Sequence, residues 1–118
     1  MEEKEIHQRL KRFAIAIILL SQKLPRVPGH FRIADQLVGS GTSPAANARE
    51  AANARSRPEF ISCMGIALKE LRETELWLEI LLELAWADKN TIAGLLKECN
   101  ELSKILAKII LNTKSNSK

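Results

Sequence analysis

Residues 36–60 read QLVGSGTSPAANAREAANARSRPEF, and the rest of the chain is organised around this stretch. From 39 to 46 every residue except Pro44 is Gly, Ser, Thr or Ala, and side chains this small let another backbone come close. Pro44 has no amide to donate to the Ser40 carbonyl. The segment therefore reads as one helix from about residue 30 to 54, kinked at Pro44, with the Ser40, Thr42 and Ser43 hydroxyls available to the freed groups. Two shorter helices with a loop between them are the competing reading. A phosphate-cradling glycine loop is a poor fit, because the Gly-Lys-Ser/Thr ending and the preceding strand are both missing.

The neighbours on either side are helical. Before it, Ile6, Leu10, Phe13, Ile17, Leu20 and Leu24 recur at spacings of four and three, which predicts a first helix over residues 3–23 with that face turned inward. Ile15, Ile18 and Leu19 lie off the stripe, so this helix is apolar on a second side. Pro25, Pro28 and Gly29 end it. After the central stretch, Ser56-Arg57-Pro58-Glu59 has the form of a capping box, with proline in the first turn where its missing amide costs nothing. A third helix follows, with Phe60, Met64, Ala67, Leu71, Thr74, Leu78, Leu81 and Ala85 as a heptad seam. A second line of Ile66, Glu70, Glu73, Trp77, Ile80 and Leu84 turns apolar in its later half. Asp88 or Asn90 caps a fourth helix with Ile92, Leu95, Cys99, Leu102, Leu106 and Ile109 inward. The expected organisation is an all-α, antiparallel up-down-up-down four-helix bundle over residues 1–113, with a kinked second helix and a disordered polar tail at 114–118.

Composition narrows the function classes. The 118 residues are 46% hydrophobic and 27% charged, with aromatics at 4%, which disfavours disorder and sheet alike. The longest apolar run, residues 13–20, is too short for a membrane span, and Glu2, Glu3 and Glu5 spoil a basic leader, so a cytoplasmic protein without membrane contact is expected. Cys63 and Cys99 form no CxxC pair and read as buried thiols. His7 and His30 fall near surface turns, and no nucleophile has a base within helical reach, so neither an enzyme nor a cofactor or metal site is expected. Glu70, Glu73, Glu75, Glu79 and Glu83 invite comparison with di-iron bundles, but neither histidine stands three residues after a Glu. The net charge of +4 is uneven: residues 1–58 carry ten Lys or Arg against five Asp or Glu, and residues 59–118 carry eight against nine. The surplus positive field belongs to the first half and the last helix.

The run SGTSPAANAREA at 40–51, followed by ARSRPEF and GIALKE up to Glu70, resembles the bacterial four-helix bundle family, also called the S23 or 23S rRNA intervening-sequence protein family. Pro44 and Ala45 depart from the family pattern, as does Ala48, where an aromatic is common. The resemblance implies a ring-like homopentamer, and a relative among the accessory proteins of diversity-generating retroelements is a basic pentamer that binds nucleic acid. The expected partners are therefore further copies of the chain and RNA or DNA, with a protein-binding scaffold as the alternative. Candidate phosphate contacts are Arg9, Lys11, Arg12, Arg49, Arg55, Arg57, Lys104 and Lys108, although Arg49 has Glu50 beside it as a structural alternative. Ser40, Gly41, Thr42, Ser43 and Asn47 form the candidate close-packing motif.

Overall fold

A computed structural model describes residues 3–116, and it contains four helices: α1 (Glu3–Ser21), α2 (His30–Ala52), α3 (Arg57–Leu84) and α4 (Lys89–Ser115). Each helix packs on the next and α4 returns to α1, so α1 stands diagonally across from α3 and α2 from α4. Short turns make consecutive helices antiparallel. The bundle measures 52 × 22 × 20 Å, a length set by α3 and α4, whose 28 and 27 residues each span about 40 Å at the usual helical rise.

The inward stripes follow the predicted spacing except that Phe60, Leu95 and Ile109 are only half-buried. Ile6, Leu10, Phe13, Ile17, Leu20 and Leu24 are buried, as are Met64, Ala67, Leu71, Thr74, Leu78 and Leu81 of α3 and Ile92, Cys99, Leu102 and Leu106 of α4. Ala85 leaves the expected seam. It is the residue that ends α3, in the left-handed region at φ 55°, with the Trp86 amide donating to the Leu81 carbonyl and the Ala85 amide to that of Leu82. This is the helix-ending pattern in which glycine is usual, because a Cβ is strained there.

The small-residue stretch sits in the middle of α2 and faces two ways. A Cβ on Gly41 would lie 2.7 Å from Ile17 Cγ2 and 3.0 Å from its Cβ, so only glycine lets α1 and α2 come this close. Ser40 turns to α3, where the buried Thr74 hydroxyl lies 2.9 Å from Ser40 Oγ and 2.8 Å from the Glu70 carbonyl. Ser43, Thr42 and Asn47 bond within their own helix: Thr42 Oγ1 donates to the Val38 carbonyl and Asn47 Nδ2 to the Ser43 carbonyl and hydroxyl. The close-packing motif thus reduces to Ser40 and Gly41, with Pro44 buried one turn on. α2 runs through Pro44 as one helix.

Two ends differ in detail from expectation. In the capping box, Ser56 Oγ accepts from the Glu59 amide, but the Glu59 carboxylate reaches past Ser56 to the Arg55 amide at 2.8 Å. Asp88 caps α4, accepting from the Thr91 amide at 2.9 Å and from its hydroxyl. These bonds hold the Asp88 carboxyl below its ordinary range, so the cap is present at neutral pH and is lost as acid protonates it. α4 also continues to Ser115, beyond the expected domain boundary at 113. Thr113 Oγ1 donates to the Ile109 carbonyl, and Arg57 donates to the Asn116 carbonyl, which anchors the last turn to α3. Of the tail, 117–118 lie outside the described residues.

Two substitutions check the backbone assignments by urea denaturation. Gly41→Ala is expected to destabilise by about 1–3 kcal/mol, since Ile17 is fully enclosed and has no room to yield. Ala85→Gly is expected to stabilise by about 1 kcal/mol through relief at the left-handed position.

Candidate nucleic-acid interface

The antiparallel path gathers the start of α1, the end of α2, the start of α3 and the end of α4 at one end of the bundle, where Ile6, Ala52, Phe60 and Ile109 line a common groove. Residues 3–12, 49–59 and 101–116 supply the charge there. These segments contain ten Lys or Arg and five Glu, a net of +5 that exceeds the +4 of the entire chain. The remainder is close to neutral, and the basic surplus noted in the sequence is concentrated at one end.

The candidate phosphate contacts spread over several sides of this end. Arg49 borders a shallow depression between α1 and α2 together with Lys4, Gln8 and Asn53. Arg12 faces the α1–α4 seam beside Lys4 and Gln8. Arg55 and Arg57 stand exposed at the α2–α3 corner, and Lys11 is exposed on α1. Lys108 is at the groove, whereas Lys104 lies on the α3–α4 side near Arg72 and Glu75. The eight residues therefore form a girdle and not a single patch.

Two of them already have structural partners. The Arg9 guanidinium lies across the seam to α4, with Nε 3.1 Å from one Glu98 oxygen, Nη2 bonded to the other, and Glu101 at 3.3 Å. The Glu98 bond, followed by its charge, raises the Arg9 pKa. Arg57 spends one N–H on the Asn116 carbonyl. The Arg9 pair joins residues about ninety positions apart, and no local pattern announces it.

The acids of α3 do not converge on one site, although Glu70 and Glu73 stand close together. Glu73, Glu79 and Glu83 are exposed, while Glu70 is half-buried between α2 and α3. Partial burial, and then Glu73, push the Glu70 carboxyl above its ordinary range. Among the described residues no group of three or more His, Cys, Asp or Glu is placed to hold a metal ion, and no helix is long and apolar enough to cross a membrane.

His30, expected near a surface turn, is 4% exposed. It packs edge-on against Phe31, with Nε2 3.3 Å from Arg26 and Nδ1 enclosed without a hydrogen-bond partner. The missed signal is its position directly after Gly29, whose left-handed φ of 91° turns the first residue of α2 inward. Trp77 is half-buried, with an indole N–H that is likewise enclosed and unpartnered.

A family model described as 23S rRNA-intervening sequence protein matches residues 2–108. The chain belongs to this family. Its fold is similar to the crystal structure of a protein of unknown function from the S23 ribosomal protein family of Bacteroides thetaiotaomicron, with a TM-score of 0.86 and 35% identity over 93% of this chain and 98% of that one. No curated protein matches the chain. Within this S23-family bundle, Ala48 is buried at 2% exposure and lines the groove described above.

The two thiols of this S23 member should react differently. Cys99 is fully buried, its Sγ 3.1 Å from the Leu71 carbonyl, and burial foremost pushes it up to about 12; Cys63 is half-buried. Between the unfolded thiol's 9.0 and about 12, the unfolded state ionises while the folded state does not, so stability falls as pH rises through that window. At pH 8 an alkylating reagent is expected to modify Cys63 in the native protein and Cys99 only after denaturant is added, with mass spectrometry locating each adduct.

Proposed function

We propose that this protein is a non-enzymatic, homo-oligomeric bundle that binds the backbone of nucleic acid, RNA foremost, through its basic end. The observation that carries the reading is the surplus of ten basic over five acidic residues at one end of a molecule that is otherwise near neutral. Each phosphate neutralised there releases counterions, so binding is electrostatic and strongly salt-dependent. The exposed Phe31 lies at the opposite end, and Phe13 is enclosed. With few aromatics to stack on bases, contact is to phosphate and carries little sequence preference. The family's description names the 23S rRNA intervening sequence, which makes structured RNA the first probe.

Apolar surface on the diagonal helices supports assembly. Ile15 and Leu19 of α1 are 49% and 53% exposed, and Ile66, Leu76 and Leu84 of α3 between 45% and 51%. The chain's accessible surface of 7340 Å² compares with about 6400 Å² for a compact monomer of this mass. Because α1 and α3 are diagonal, their outer faces point in opposite directions, and one two-fold contact covers only one of them. Repeating an α1-on-α3 contact from copy to copy covers both, and such head-to-tail contacts close into a ring when the rotation allows. Gly41 lies against Ile17 and Ser40 against Thr74, so the α1 patch stands level with residues near 74 of α3. The contact then needs little shift along the bundle axis, which favours a closed ring over a filament. Five copies is the number that the family resemblance implies.

Filter binding to a structured RNA from low to high salt tests the first part. Affinity should fall linearly on a log–log plot, and Arg49→Gln, which takes one cation away from the phosphates, should reduce the slope by about 1. Absence of binding at about 50 mM salt, where the electrostatic contribution is large, would sink the nucleic-acid reading and leave a protein-binding scaffold. For assembly, sedimentation equilibrium should give a mass near five chains of 13.2 kDa. Ile15→Lys and Leu76→Lys should each disrupt the ring, and their mixture should recover one intact contact as a one-to-one dimer. A two-fold interface gives no such recovery.

A further inference from the structure

We infer that the groove at the basic end is a binding site for a single-chain anionic amphiphile, a medium-chain carboxylate in which the alkyl chain enters the groove and the head stays at its rim. The site shares Lys108 with the candidate phosphate contacts but is distinct in its apolar walls, since a nucleic acid has no alkyl chain to place there.

The groove has a volume of about 650 Å³, within the range of roughly 300–1,000 Å³ typical of small-molecule sites. It receives side chains from all four helices. Ile6, Phe60, Met64 and Ile109 give it apolar walls, and Ala48, enclosed but carrying only a methyl group, does not fill it. Higher up, the Arg9 pairing with Glu98 and Glu101 holds α1 to α4; nearer this end, the space between the helices is the groove. Along α4 the lining extends from Ile105 to Asn112, a run of about 10 Å that matches an extended chain of roughly eight carbons.

The rim selects the head group. Lys108 and Asn112 border the groove, and no Asp or Glu is among its lining residues. The surrounding segments are net +5. An ammonium head would meet like charge, and a neutral alcohol would forgo the lysine, whereas a carboxylate gains a charge-assisted bond.

Isothermal titration calorimetry with octanoate and 1-octanol, each kept below aggregation, tests the inference on the full chain. Octanoate is expected to bind saturably at one per chain and several-fold more tightly than octanol. Lys108→Gln should bring octanoate down to the octanol level and leave octanol unchanged. Ala48→Phe should abolish binding of both while circular dichroism and melting show a folded bundle; Ala48→Leu takes its place if phenylalanine proves too large. No saturable octanoate binding, or unaltered binding in the folded Ala48 variant, overturns the site. Equal binding of octanoate and octanol, or indifference of octanoate to Lys108→Gln, overturns the anionic head.

Discussion

Gly41 has room for a hydrogen and nothing larger beneath Ile17, and the arrangement of the bundle depends on that close approach. One residue earlier on the same helix, Ser40 meets the Thr74 hydroxyl inside an otherwise apolar seam. Each hydroxyl also has a carbonyl to donate to within its own helix, that of Leu37 for Ser40 and that of Glu70 for Thr74, so the contact between them adds the roughly 0.5–1.5 kcal/mol of one ordinary hydrogen bond. Sliding α2 against α3 by a turn would separate Ser40 from Thr74, and sliding it against α1 would press a larger side chain on Ile17. Glycine on one side and a hydroxyl pair on the other therefore set the level of three helices with two adjacent residues. Once those levels are set, so is the set of helix ends that meet.

The diagonal placement of α1 and α3 has a consequence for surface chemistry. Each buries one stripe against α2 and α4 and turns its opposite side outward, so the exposed Ile15 and Leu76 follow from having two apolar sides on helices with only two neighbours. Charge is distributed differently. The exposed acids of α3 lie along the bundle, but the basic segments come from four separate places in the chain and become neighbours only through the fold. Arg9 limits the resulting repulsion locally by drawing Glu98 and Glu101 of α4 against α1. Its side chain is about one-fifth exposed, so this link is worth more than a fully solvated pair and less than an enclosed one.

Much of the core was legible in the sequence because burial follows helical periodicity. Ile6 through Leu24 and Met64 through Leu81 lie inward as their spacing dictates, and Asp88 caps α4 as a short acceptor before a helix should. The parts that were not legible depend on three-dimensional proximity or on local backbone choices with near-equal energies. Ala85 continues a seven-residue rhythm and yet ends α3, because the chain must turn and no glycine is at hand. The Glu59 carboxylate takes the Arg55 amide, one residue before the Ser56 amide that the capping-box pattern expects. His30 is polar and follows a turn, features that suggest solvent, but the turn itself rotates it inward. At the candidate site, the charge surplus was visible as a count, whereas its gathering at one end, and the diversion of Arg9 to α4 carboxylates, required the fold.

The basic end and the groove have a common origin in the last turns of α2. Ala48 and Arg49 are adjacent, and successive residues on a helix point about 100° apart. When Ala48 faces the interior, Arg49 must face out. The inward position carries a methyl group where a larger side chain would bridge to Ile6 and Phe60, leaving volume between α1 and α4 that the Arg9 pair, higher up the bundle, cannot close. The outward position adds a cation to an end that already holds Lys4 and Lys108, with Arg49 and Lys4 bordering the neighbouring depression between α1 and α2 and Lys108 lining the groove. An apolar hollow with Lys108 at its rim, in the more basic end of the bundle, thus stands beside Arg49 because one small residue precedes one charged residue on a helix whose level is set by Gly41 two turns earlier.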